Sequence, residues 1–207
     1  MNGPLASYLG ILRHPSRTAS ALAEGNCGHG QAAVFVCLLG VLMPFPTLYR
    51  AEESGFTVAL ERLPGLLAGG ILGALICWLL LSWLYRNFSR MLGGEASVRQ
   101  IRIGFGWGLF PAVLLFAAGT LLSLFWIHFA YEPAEQGMEP KAAFMVLLGP
   151  LGLLFFVALL YAYGVLLLAL SGASRLGTMK AFFVLVITLA VSVFPLTFLL
   201  QLIVGVE

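Results

Sequence analysis

PGLLAGGILGALICWLLLSWLYRNFSRM, residues 64–91, holds no charge before Arg86 and then carries Arg86 and Arg90 in quick succession. Crossing a hydrocarbon core of about 30 Å takes roughly 20 apolar residues as a helix, and the stretch from Pro64 to Tyr85 meets that length. Its apolar residues run on without alternating, which predicts a transmembrane helix and not a strand of a barrel. Four further runs read the same way, near 31–49, 103–130, 142–171 and 179–204. The expected fold class is an all-α integral membrane protein. It comprises a five-transmembrane-helix bundle over 30–207, preceded by a short amphipathic interfacial segment over 1–29.

Composition points the same way. Of the 207 residues 60% are hydrophobic and 10% charged, against about 25% charged in a soluble domain, and the mean hydropathy is +0.99. The first 29 residues show no long apolar core beside a small-residue cleavage site, so no cleaved signal peptide is expected and the first span serves as the targeting signal. Cys27, Cys37 and Cys77 are too few and too scattered for a disulfide framework and read as free thiols.

Loop charges set the expected orientation. With the N-terminus cytoplasmic, the inner segments hold Arg13, Arg17, Arg86, Arg90, Arg99, Arg102, Arg175 and Lys180, and the outer ones hold only Arg50, Arg62 and Lys141. Glu24 and Glu95 fall inside; Glu52, Glu53, Glu61, Glu132, Glu135, Glu139 and Glu207 fall outside. In PLASYLGILRHPSRTASALAEG, residues 4–25, apolar positions recur at near-helical spacing with Pro15 interrupting them. That pattern predicts a broken amphipathic helix on the inner leaflet.

No charge lies near the middle of any span, which disfavours ion-coupled transporters and proton pumps. His128, beside Trp126 and Tyr131, sits where an aromatic belt is expected. Nucleophile, base and orienting group do not assemble, and no GxSxG surrounds a serine, so no enzyme, cofactor or metal site is expected. CGHG, residues 27–30, reads as a turn before the first span and not as half a zinc site, because no second ligand pair exists.

Small residues predict helix contacts. Gly69 and Gly73, and Gly104 and Gly108, have the spacing that lets backbones approach closely in lipid, within one chain or between two. Pro44, Pro46, Pro111, Pro150 and Pro195 should bend helices. The second span with its loop and Phe110-Pro111 loosely parallels the fourth span with its loop and Phe194-Pro195, a pattern of parallel duplication.

Between the second and third spans, Gly93-Gly94 permits the left-handed dihedrals that stop a helix. Ser97 and Gln100 then have the spacing of a capping box. Arg86 and Arg90 share one helix face, as do Arg99 and Arg102. Together with Arg13 and Arg17 these arginines are the candidate contacts to a lipid or partner headgroup, each worth about 1 kcal/mol beside an anionic leaflet.

RHPSRTASALAEG (13–25), LGGEASVRQIRIGFGWGLFP (92–111) and SGASRLGTMKAF (171–182), together with the five spans, resemble the Ypt-interacting protein (Yip) domain family, in particular its small bacterial members. The resemblance covers nearly the whole chain and implies a five-helix membrane domain with a cytoplasmic N-terminus, in the bacterial inner (cytoplasmic) membrane. Eukaryotic relatives are associated with Rab-type GTPases and membrane traffic. With about 29 residues ahead of the first span there is no room here for a substantial cytoplasmic domain, so GTPase binding is not carried over. The resemblance supplies no catalytic residues. The expected function is a non-enzymatic polytopic protein that organises lipid or assists or regulates another membrane protein. The alternative is a channel or carrier for an uncharged or amphipathic substrate, lipid included. Expected partners are membrane phospholipids and a membrane-protein partner or second copy, with no nucleic acid.

Overall fold

Pro15 divides the N-terminal segment into two helices, α1 (Pro4–Arg13) and α2 (Pro15–Glu24), with His14 non-helical between them. A proline at the first position of a helix loses no hydrogen bond, because that N–H would have no intrahelical acceptor. The computed structural model describes residues 4–25, 27–43, 49–52, 55–58, 63–126 and 142–204, with side chains described for 6–25, 27–43, 63–122 and 150–192.

α3 (His29–Leu42) follows Gly28, whose φ of +80° suits glycine. It stops short of the expected residue 49. Pro44 comes next but one in the chain, and a proline offers no N–H and restricts the residue before it. β1 (Tyr49–Glu52) and β2 (Gly55–Val58) then pair antiparallel, Tyr49 opposite Val58 and Glu52 opposite Gly55. This hairpin is the departure from the all-α expectation, in a stretch too short and too polar to span lipid.

The remaining elements are α4 (Leu63–Met91), α5 (Val98–Gly108), α6 (Phe110–Trp126), α7 (Ala142–Ser174) and α8 (Thr178–Val204). The stretches long and apolar enough to cross a membrane are Leu63–Met91, Val98–Leu122 and Pro150–Ser174. His29–Leu42 and Thr178–Ser192 are shorter apolar helices. The expected third run is divided at Leu109, because Pro111 cannot donate to the Trp107 carbonyl and the helical ladder is interrupted there. Pro150 stays inside α7. Pro44, Pro46, His128 and Pro195 fall outside the residues whose side chains are described.

The chain forms two compact units. The first comprises residues 1–32, 76–108 and 165–207, and in it α2 packs along α5. Its interior holds Ile11, Leu22, Tyr85, Ile101, Trp107 and Leu170, among others. Buried hydroxyls there turn back on their own helices: Ser82 donates to the Trp78 carbonyl (2.6 Å), Ser174 to Leu170 (2.6 Å) and Thr188 to Val184 (2.7 Å). Each thereby satisfies its donor without a partner from another helix.

The second unit comprises residues 33–75 and 109–164. Gly40 lies directly against the Gly70 carbonyl and the Ala74 methyl. The Phe35 and Phe110 rings stand 5.1 Å apart, and Phe116 meets Phe155 edge-on. Leu153 and Leu154 of α7 are 64% and 65% exposed, with Phe156, Val157 and Leu160 also open. A continuous apolar surface of that kind is costly in water and neutral against lipid tails.

Candidate functional site

α4 ends in a Schellman motif. Gly93 takes φ +91° and donates to the Arg90 carbonyl (3.1 Å), and Gly94 donates to the Ser89 carbonyl (2.8 Å). These two bonds satisfy carbonyls that the end of the helix would leave open. Three residues on, the Gln100 side chain accepts from the Ser97 N–H (2.8 Å), while Ser97 Oγ accepts from the Gln100 N–H (3.3 Å). This reciprocal pair is the capping box that the spacing predicts. The loop that joins the two arginine-bearing helix ends is therefore held on both sides by backbone-directed bonds.

From Ile101 to Gly108 every residue of α5 is buried except Arg102. Its glycines explain how a helix can be enclosed so completely. A Cβ on Gly104 would stand 2.7 Å from the Ala173 methyl, and one on Gly108 would stand 2.9 Å from Leu166 Cδ1. Gly106, which the four-residue spacing did not single out, lies against Ala32, whose Cα and carbonyl oxygen would be 2.6 and 2.7 Å from an added Cβ. Gly104 and Gly108 thus serve α7 and Gly106 serves α3, so glycines two apart face different neighbours. Around Gly69 and Gly73, by contrast, no described atom lies within 4 Å of an added Cβ; Gly70, between them, makes the close approach.

Two tryptophans to which the sequence assigned no role hold this unit together. Trp107 Nε1 donates to the Gly28 carbonyl (3.1 Å) and its ring lies 5.3 Å from Tyr8. Trp78 Nε1 donates to the Arg102 carbonyl (3.1 Å), and its ring lies 5.4 Å from that of His29. The first turn of α3, Trp78 of α4 and the first turns of α5 are thus tied by two indoles.

The predicted arginines divide by environment. Arg13, Arg17, Arg90 and Arg99 are exposed, whereas Arg86 and Arg102 are half-buried. The Nε atoms of both Arg86 and Arg102 are buried and have no hydrogen-bond partner among the described residues. Among the described residues Arg86 reaches only Asn87 Oδ1, at 3.4 Å through Nη1. The charges of Arg99 and Arg102 reach His29, whose pKa lies below its ordinary 6.5, first through partial burial and then through those two guanidinium groups. His29 read from the sequence as part of a turn. The signal that could have marked it is an imidazole at the first position of an apolar helix.

Arg175 and Lys180 have partners. Arg175, left-handed at φ 58°, pairs with Glu24 across 3.2 Å, and Lys180 Nζ donates to the Leu92 carbonyl at 3.4 Å. Both partners of the ion pair are more than half exposed, so it stabilises by less than about 1 kcal/mol. Among the described residues no three His, Cys, Asp or Glu side chains cluster as metal ligands would.

Apolar helices of crossing length, an open apolar surface on α7 and cationic groups at helix ends define a helical, membrane-embedded protein. A sequence model of the Yip1 domain matches residues 9–199, nearly the whole chain, and the chain belongs to that family. Comparison with curated proteins and with solved structures found no significant match.

Proposed function

We propose that this Yip1-domain protein is a non-enzymatic, multi-pass protein of the bacterial inner membrane that binds anionic phospholipid and thereby organises lipid or assists another membrane protein. Five helices cross the bilayer in this reading, with the N-terminus cytoplasmic. The eight-to-three bias of basic residues toward the loops assigned to the inside supports the orientation. The observation that carries the functional reading is the pair of half-buried arginines, Arg86 and Arg102, each with a buried Nε that no described protein group accepts. A desolvated guanidinium N–H without an acceptor is costly, and phosphate oxygens of a lipid headgroup suit its planar donor set. Exposed Arg90 and Arg99 add to the local positive field.

Replacement of Arg86, Arg90, Arg99 and Arg102 together by glutamine tests this. Native mass spectrometry of the protein released from vesicles containing phosphatidylglycerol should show far fewer retained anionic lipids than the unmodified chain. Equal retention of lipid, together with equal recovery of any co-purifying membrane protein, would overturn the reading.

A further inference from the structure

We infer that Arg102, Arg99 and His29 form one discrete binding site for a single phosphate oxyanion, with the Trp78 indole as its wall. The inference rests on the lipid-binding reading and narrows it from a belt of arginines to one site.

The components come from separate elements and are held in place. His29 is the first residue of α3, and its ring packs against Trp78 of α4 at 5.4 Å. Trp78 in turn fixes the first turns of α5 through its bond to the Arg102 carbonyl. Arg99 and Arg102, three residues apart, project from the same side of α5. The Ser97–Gln100 capping box anchors that turn from the other end. A site whose parts are preset in this way spends little of its binding free energy on ordering.

The chemistry of the site asks for an anion. Arg102 Nε is buried and has no described acceptor. The described carboxylates do not supply one: Glu24 pairs with Arg175, and Glu95 is exposed and forms no ion pair among the described residues. His29 feels the positive field as well: its protonated form is disfavoured first by partial burial and then by both arginines. An oxyanion between them would accept from the guanidinium donors and from an imidazole N–H, and charge-assisted bonds of that type are about twice as strong as neutral ones. A phosphate group has the oxygens to take several such donors at once. It can arrive as a lipid headgroup or as free phosphate, and the chemistry is shared by both.

The test uses the full chain in phosphatidylcholine nanodiscs, to which phosphatidylglycerol or inorganic phosphate is added. Binding is followed by native mass spectrometry and by the imidazole resonances of His29. Phosphatidylglycerol should bind with one-to-one stoichiometry and shift the His29 resonances. Arg102→Gln should weaken that binding about tenfold and Arg99→Gln severalfold, whereas Arg175→Gln and Lys180→Gln, at cations with partners of their own, should change it less than about twofold. Displacement of the lipid by millimolar inorganic phosphate would identify a site open to the free ion; lipid binding that phosphate does not displace would identify a headgroup site, and either supports the inference. Equal weakening by all four substitutions would overturn the discrete site and leave the broader lipid reading standing. No weakening by any of them would also overturn the site, and the lipid reading would then rest on the quadruple replacement that includes Arg86. If Arg102→Gln does not fold, the contrast of Arg99→Gln with Lys180→Gln decides the matter in the same way.

Discussion

Substituting Gly106→Ala tests whether close packing around α5 is what assembles the site. An added Cβ would lie 2.6 Å from Ala32 Cα and 2.7 Å from the Ala32 carbonyl oxygen, where ordinary contact is about 3.5 Å or more. The obstacle is backbone, so no rotamer change can relieve it, and α5 and the start of α3 must separate by roughly 1 Å. Overpacking of this severity costs about 3 kcal/mol, and the better helix propensity of alanine returns about 1 kcal/mol. The net expectation is a loss of about 2 kcal/mol. Gly69→Ala is the matched comparison, because nothing described lies within 4 Å of its Cβ and only the propensity gain should remain. Thermal midpoints of both variants in the same detergent should place Gly106→Ala below the unmodified chain and Gly69→Ala level with it or above. Since Ala32 lies one turn after His29, Gly106→Ala should also weaken phosphatidylglycerol binding. A Gly106→Ala protein as stable as the original and with full lipid binding would refute the packing argument.

Three further outcomes are expected. Ser97→Ala removes one half of the capping box and should cost about 1 kcal/mol in thermal stability, whereas alanine at the half-buried Ser20 of α2, which only weakly bonds Glu24 at 3.4 Å, should cost much less. His29 has a folded pKa below its ordinary 6.5, so the folded state takes up its proton less readily than the unfolded chain. Its contribution is present in full above pH 6.5 and is lost as pH falls through the lowered folded value; a pH series of thermal midpoints should show this acid loss, and His29→Gln should remove it. The exposed Cys27 lies ahead of α3, so with the N-terminus inside, a membrane-impermeant maleimide should label it only after cells are permeabilised. Labelling of Cys27 as a lone cysteine in intact cells would reverse the orientation.

Sequence spacing located α4 and its end with little error, because both rest on local chemistry. A long apolar run has few ways to satisfy its backbone in lipid other than as a helix, and Gly93 and the Ser97–Gln100 pair act within a few residues of themselves. The same locality made Pro15 legible as a break between α1 and α2. Glycines were harder to read. The four-residue spacing applies equally to Gly69–Gly73 and Gly104–Gly108, yet only the second pair has described neighbours in contact range. Nor did any spacing reveal that α5 is enclosed by α2, α3 and α7, which is why Gly106 and Trp107 went unassigned.

Most of what can be known from this sequence alone concerns single segments: that the chain is helical and apolar, where helices stop and start, and which loops carry the positive charge. Those properties follow from hydrocarbon thickness, backbone bonding and caps that span a few residues. Which charges meet is a different kind of fact. His29 and Arg102 are far apart in the chain, and they approach only because Trp78 bonds the Arg102 carbonyl and packs on the His29 ring while Gly106 admits Ala32. Contacts at that separation depend on the shapes of three packed helices together, and only the tertiary structure turned a row of loop arginines into two exposed cations, two half-buried ones and one candidate anion site.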